Sequence, residues 1–523
     1  MQTQVLIIGA GVTGAGLARD LAMRGVASIV VEKQDVNAGA SGGNHGLLHS
    51  GARYIESDPA AAAECHLENQ TLKRVASHCI EDTGGLFVAV AGDGERYIAD
   101  FADGCRRCHI PVKPLDPKDA REIAPVLSDC VIAAYAVDDA TVDPFKLSLD
   151  NLADALQRGG RLLRHRQVLG FDVSGGRVCR TMVRDAVTGR TDTIEAEVVV
   201  NAAGAWAGVV AGLAGAFVPM RYSKGSLLVT QSRLTERVVN RLRMPTDGDI
   251  LVPGGTVSIL GTTSERVDSP DSIYPEIHEV DAIIDQGTAM IPQLATTRYI
   301  RAYCGVRPLM GGDRVDQGAD DRTVSRGFVL IDHDREPERL TNFITIAGGK
   351  LTTYRLMAEK TADLVCTRLG VSAACRTHLE PLPDTVDARW TEPGLAPSEW
   401  LRKKVPGDLL LCECEMVPQS TVDEIVSGIG KLDGRPSLKS ISLRSRIGKG
   451  PCQGAFCSQR LAAYLYDNGN LDRDRGITQL RAFLRERWRG QQPLLWSVSL
   501  VQAELLEAMH CGLFGLELGD SPQ

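Results

Sequence analysis

Gly9, Gly11 and Gly14 follow the apolar run Val5 to Ile8 and open a stretch of helical pattern that ends at Gly25. A second apolar run, Ile29 to Val31, closes on Glu32, 18 residues past Gly14. Strand, glycine turn, helix, strand and acid in that order suit the pyrophosphate and ribose of a dinucleotide. The first glycine permits the tight turn, the second lets backbone approach the phosphates, and the third allows close helix packing. The phosphates then accept N–H bonds at the positive end of the helix, and Glu32 accepts from the ribose hydroxyls. A glycine turn with a purely structural role is the plain alternative. FAD and NAD both fit this unit.

Two later segments repeat the pattern of a buried strand running into glycine: Glu197 to Asn201 before Gly204, and Phe343 to Ala347 before Gly348, Gly349 and Lys350. Glycine at a strand end lets a ligand come close. Several segments built round one ligand favour a resident flavin over a diffusing nicotinamide.

Cysteine supplies the second pattern. Cys412 and Cys414 are separated by one residue, Cys452 and Cys457 by four, and 37 residues lie between the pairs. Four thiolates at paired spacing suit a [2Fe–2S] cluster, and zinc is the competitor, although its pairs are more often separated by two residues. The other ten cysteines are scattered. Cys105 and Cys108 form one further close pair, which reads as structural because it lies in a charged helical stretch without a second pair nearby.

The elements that must hold these groups read as α/β. Signals for strand and helix are mixed to about residue 370, with helical periodicity in Cys65 to His78 and Lys146 to Gln157. That length predicts two interleaved subdomains over residues 1–375: a Rossmann-like dinucleotide unit and a mixed-sheet substrate unit. Five prolines between Thr377 and Pro406 mark residues 376–407 as a linker, and residues 408–523 read as a small, mainly helical, cysteine-rich unit with helices through Leu518. The basic stretch Arg481 to Arg489 reads as a solvated helix face.

Composition excludes other classes. The chain has 523 residues and a formal charge of −8, so a clustered cationic surface for nucleic acid is not expected. No apolar run approaches the ~20 residues that span a bilayer. The apolar stretch Val5 to Ala22 lacks a basic segment before it and includes six Gly, Arg or Asp residues, so it does not read as a secretory signal. A start near Met1 in a reducing compartment is the expectation, with most of the 14 cysteines as free thiols or ligands.

With the fingerprint, a further set of stretches resembles the FAD-dependent glycerol-3-phosphate dehydrogenases, most closely the flavoprotein subunit of their anaerobic, multi-subunit branch. These stretches are His45 to Tyr54, Val142 to Phe145, Asn201 to Gly204, Lys224 to Ser226, Gly261 to Thr263, Gly305 to Leu309 and Gly348 to Arg355. The cysteine-bearing C-terminal unit and Glu486 to Gly490 point to the anaerobic branch, and the two cysteine pairs resemble the bacterioferritin-associated-ferredoxin-like domain that holds a [2Fe–2S] cluster.

The resemblance implies an amino-acid-oxidase-like fold and oxidation of sn-glycerol 3-phosphate to glycerone phosphate, with FAD taking hydride from C2. It further implies partner subunits that carry electrons to a quinone, and a cytoplasmic place on the inner face of the membrane through those partners. It sets Ser41, Gly204, Gly348, Gly349, Leu351 and Thr352 along the cofactor with the fingerprint residues. It sets His49, Arg53, Tyr54, Arg307 and Lys350 at the substrate.

The residue types agree with those roles. Arg53 and Arg307 each lie two residues after a glycine, and Arg offers a planar fork for a phosphate. Removing hydride from an alcohol needs a base for its proton, and His is the usual choice near neutral pH. Here the chain departs from part of the family: several aerobic relatives carry a His directly after Lys-Gly-Ser, where this chain has Leu227. His49 is the substitute candidate and His45 the second choice. Two other readings stay open: an FAD dehydrogenase of an amino acid or 2-hydroxy acid, whose carboxylate Arg also binds, and a catalytically silent flavin subunit.

Overall fold

The computed structural model describes residues 1–311, 321, 324–385, 400–403, 405–431 and 434–516. Five parallel strands form the heart of the first sheet: Arg161–Leu163, Ser28–Val31, Gln2–Ile8, Thr191–Asn201 and Phe343–Gly348, in that spatial order. Both faces of such a sheet are covered, and Val5, Leu6 and Ile7 are accordingly fully buried. Helices Val12–Met23, Pro144–Gln157 and Tyr354–Leu369 cover one face, where their apolar residues join Val5, Ile7, Val30 and Val200 in one core.

The second sheet is mixed. Its longest pairing joins Met220–Thr230 to Tyr299–Met310, antiparallel, with Arg307 opposite Ser223 and Gly305 opposite Gly225. Elsewhere in it Val238–Arg241 runs parallel to Gly85–Val90. The chain supplies residues 1–31, 161–201 and 328–348 to the first sheet and 85–137 and 220–310 to the second. The interleaving expected from the unbroken strand and helix signals is what the chain adopts.

Two helix expectations shift at their ends. The periodicity of Cys65 to His78 belongs to helix Pro59–Val75, which starts earlier because Asp58 caps it through Ala61 N, and Ser77–Cys79 is a separate 3-10 turn. Helix Pro144–Gln157 begins at the Val142 to Phe145 motif because the Asp143 carboxylate accepts from Phe145 and Lys146 N. Cys105 and Cys108 are buried thiols in and just after helix Glu95–Arg107.

Residues 386–399 and 404 of the proline-rich stretch, with Pro393 and Pro397 among them, lie outside the described residues, as does Leu518. Beyond them, helices Gln419–Lys431, Leu438–Arg444, Cys457–Asp467 and Arg473–Gln491 bury a core of their own around Ile425, Ile441, Leu461 and Leu480. This helical region is joined to the rest by buried charge. Asp35 accepts from Arg444 at 2.9 Å and from Arg164 at 3.0 Å. Burial would raise the Asp35 carboxyl, but the two guanidiniums outweigh it and hold it well below the ordinary carboxylate value.

Helix Arg473–Gln491 corrects one expectation. Its basic stretch is not a solvated face throughout: Arg487 donates to Gly448 O and the Ser442 hydroxyl and packs over the Phe483 ring, while Glu486 pairs with Arg301 of the second sheet. Arg489 lies over the Tyr274 ring. The helix is an inter-region brace because Phe483 and Leu484 bury its other side.

Candidate active site

The glycine turn is built for close approach. Gly9 has φ +110°, and a Cβ there would meet Ala202 O at 2.6 Å; at Gly14 a Cβ would meet Gly9 O at 2.0 Å. Only bare backbone lets helix Val12–Met23 start this close to the sheet. Its first N–H groups face the loop that holds Ser41, whose hydroxyl accepts from Val12 N at 2.9 Å and lies 3.0 Å from where a Gly11 Cβ would be. Glu32 ends strand Ser28–Val31, and its carboxylate accepts from Ala10 N and Gln34 N. Glu32 thereby fixes the turn, and the remaining lone pairs of its oxygens are what a ribose would use. Burial pushes its carboxyl up, against those two backbone bonds.

The predicted substrate residues converge. His49, Arg53, Tyr54, Arg307 and Lys350 line one cavity of about 230 Å³, with His45 and Leu227 in the same wall. Gly349 and Leu351 reach it too. Gly204 instead turns the chain after strand Thr191–Asn201, and Thr352 is fully buried behind the wall, its hydroxyl accepting from His49 N at 3.1 Å.

Each cation is held by a different element. Arg53 sits in the 3-10 turn Ala52–Tyr54, where Nη2 donates to Asp249 at 3.0 Å; among the described residues Nη1 is buried with no hydrogen-bond partner. Arg307 crosses strand Met220–Thr230 at Gly225, where a Cβ would lie 2.5 Å from its Nη2. It donates to Thr263 O and to the hydroxyls of Thr262 and Ser223. The Lys-Gly-Ser motif is therefore a slot for a guanidinium from the next strand. Lys350 donates to Arg326 O at 3.0 Å and lies 4.4 Å over the Tyr54 ring. Burial lowers its ammonium below the ordinary value, partly offset by Cys65 and Asp58.

The two histidines differ in what they can accept. The His45 Nδ1 accepts from Leu47 N at 3.3 Å, which as a neutral ring leaves its proton on Nε2. The His49 Nε2 lies 3.4 Å from the Tyr54 hydroxyl, a pair in which either atom can donate. Burial pushes the Tyr54 phenol up to about 12, so it stays protonated. Burial first, then the charges of His45, Lys350 and Arg53, hold His49 well below the ordinary imidazole value; burial and Arg307 take His45 to about 3.

Leu227 is buried at this wall, paired in register with Tyr303 and Gly261, so no base stands at that position. Sequence reading does not single out Asp249, Arg326 or Tyr303. Asp249 orients Arg53, and Tyr303 donates to Asn44 O, fixing the loop between the glycine turn and His45. No local pattern marks them, since strand pairing brings them in.

The four predicted metal-ligating cysteines also come together. Cys412 and Cys414 Sγ lie 3.7 Å apart, Cys414 and Cys452 3.6 Å, and Cys457 reaches both Cys412 and Cys452. Backbone hydrogen bonds run to Cys412 from Glu415, to Cys452 from Gly454 and Phe456, and to Cys457 from Gly448. The Cys414 and Cys457 thiols and those amides pull Cys452 far below the ordinary thiol value.

A dinucleotide cradle on a parallel sheet, facing a cationic cavity on a mixed sheet, defines a flavin-type oxidoreductase scaffold. The chain belongs to the FAD dependent oxidoreductase family, whose model matches residues 4–364. Within it, the chain is 42% identical to one subunit of the anaerobic glycerol-3-phosphate dehydrogenase of Escherichia coli (strain K12), covering 98% of this chain and 97% of that protein.

Among solved structures, the glycerol-3-phosphate dehydrogenase of Bacillus halodurans complexed with FAD shares the fold with a TM-score of 0.56 at 22% identity, over 98% of this chain and 88% of that one. The L-alpha-glycerophosphate oxidase of Mycoplasma pneumoniae with FAD bound gives 0.61 at 18% identity, over 73% and 99%. No helix among the described residues is long and apolar enough to cross a membrane.

Proposed function

We propose that this chain is the catalytic subunit of a membrane-associated dehydrogenase that oxidises sn-glycerol 3-phosphate to glycerone phosphate and passes the electrons through partner subunits to a quinone. One observation carries the reading: three largely buried cations, Arg53, Arg307 and Lys350, converge on a single small cavity, and Arg53 keeps a buried donor without a partner among the described residues. A dianionic phosphate satisfies that set better than a single carboxylate. The strong likeness to the glycerol-3-phosphate dehydrogenase of Escherichia coli supports the same substrate.

The glycine cradle, Glu32 and the small residues at Gly204, Gly348 and Gly349 fit FAD, which when bound supplies a two-electron hydride acceptor. The protein's own residues do the rest. Arg53 and Arg307 grip the phosphate oxygens and Lys350 neutralises them, fixing C2 of the substrate in the cavity. His49 Nε2 takes the proton of the C2 hydroxyl as hydride departs, and the Tyr54 oxygen can then accept from the protonated ring. Leu227 keeps water from the reacting carbon on its side.

Residues 376–407 act as linker between the catalytic region 1–375 and the C-terminal region 408–523. There Cys412, Cys414, Cys452 and Cys457 fit a [2Fe–2S] cluster, which when bound carries one electron at a time. The amides aimed at the sulfurs stabilise thiolates, as a ligand set requires. The chain lies on the cytoplasmic face of the membrane, held by its partners.

Purified chain should contain about two irons and two labile sulfides, and Cys452→Ser should lose most of both while dye reduction at the flavin persists; one zinc and no sulfide would replace the cluster with a structural ion. The substrate is tested by reduction of a soluble dye. Glycerol 3-phosphate should support it and 2-hydroxyglutarate and proline should not, and turnover of either of those in its place would reassign the cavity.

A further inference from the structure

Helix Ser497–Phe514 presents apolar residues to both sides. Towards the protein, Cys511 packs on the core that contains Cys412 and Cys457, and His510 bonds to the backbone of Ala455, between Cys452 and Cys457. On the opposite side Val498, Val501, Leu505, Met509 and Leu513 recur every three or four residues and are 61–73% exposed. Trp496, 72% exposed, extends the stripe at one end. Contiguous apolar surface of several hundred Å² is what monomeric proteins avoid and interfaces use. The helix that carries the stripe meets the four-cysteine centre through Cys511 and His510, and in that centre Cys414 is exposed and Phe456, next to Cys457, is 61% exposed.

We infer that this helix face is the docking surface for the partner protein that takes single electrons from the four-cysteine centre, an apolar surface with basic residues at its rim. The inference rests on the proposed function. Electrons must leave where the centre comes nearest to solvent, at the exposed Cys414, and the helix that carries the stripe packs against that centre through Cys511 and His510. Charge decides between occupants. The only Asp, Glu, Lys or Arg residues from 496 to 516 are Glu504 and Glu507. Membrane-surface helices use Lys and Arg to meet anionic headgroups, so this one suits a protein with cations facing Glu504. A second copy of the chain would set those glutamates against their own counterparts.

The test uses the full, FAD- and iron-loaded chain carrying Val501→Glu, Leu505→Glu and Met509→Glu together, and separately Glu504→Lys. All four positions face water, so flavin and iron content should match the wild type. Dye reduction by glycerol 3-phosphate, which needs no partner, should stay within about twofold. Quinone reduction should be measured in membranes of the source cells that lack their own copy of the chain. There the triple variant should fall about 20-fold or more and Glu504→Lys several-fold.

A triple variant that reduces quinone at the wild-type rate overturns the docking inference. So does wild-type chain that binds phosphatidylglycerol vesicles where the triple variant does not, or that sediments as a dimer where the variant is a monomer. Wild-type chain that fails even with dye overturns the catalytic reading instead, and the docking inference falls with it.

Discussion

His49→Gln should lower kcat with glycerol 3-phosphate by about 10²- to 10⁴-fold, the range that a positioned general base contributes. FAD should remain bound. Glutamine keeps a polar side chain of similar reach but offers no nitrogen lone pair to take the C2 hydroxyl proton. The backbone of residue 49 stays anchored, because Thr352 receives its N–H whatever the side chain.

His45 is not a substitute, since its Nδ1 is committed to Leu47 N and its Nε2 carries the ring proton. The pH profile separates a base from a merely structural residue. Burial and the neighbouring cations keep His49 neutral well below its ordinary titration range. A base of depressed pKa is active above that pKa and is lost only as pH falls through it. At saturating substrate, kcat should therefore stay level from pH 8 down through 6.5 in the wild type. Stopped-flow flavin reduction checks both points; a His49→Gln rate within threefold of the wild type would move the base elsewhere.

Arg307→Leu should cost kcat/KM about 2–5 kcal/mol, or roughly 30- to 4,000-fold, because the buried charged contact proposed for the substrate phosphate is removed. Most of that should appear in KM. Arg307→Lys should recover little of it, since an ammonium cannot reproduce the two-pronged geometry that the Gly225 slot admits. The guanidinium also ties Ser223, Thr262 and Thr263, so an unchanged flavin spectrum is the control for local collapse. A nearly normal KM for the leucine variant would show that Arg53 and Lys350 bind the phosphate without it.

The glycine turn, Glu32 and the parallel strands are legible in the sequence because each is local: a few adjacent residues determine turn, helix start and strand. The cysteine ring is legible for a related reason, since paired spacing survives whatever fold joins the pairs. Asp249 and Arg326 are not, because their place beside Arg53 and Lys350 comes from pairing between strands and loops distant in sequence. Arg487 reads as solvated because charge alone marks a surface helix. Phe483, stacked under its guanidinium, turns that residue inward. In sequence, helix Ser497–Phe514 is one part of a mainly helical unit, and only the fold reveals that its apolar stripe stands exposed.

In the proposed reaction a flavin on the glycine cradle receives hydride from a phosphate-anchored triol in the cavity of Arg53, Arg307 and Lys350. Anaerobic addition of sn-glycerol 3-phosphate to the FAD-loaded chain tests it in one step. The flavin absorbance should bleach to completion within the turnover time, and glycerone phosphate should appear in equal amount. A flavin that stays oxidised under an excess of the compound would contradict this assignment.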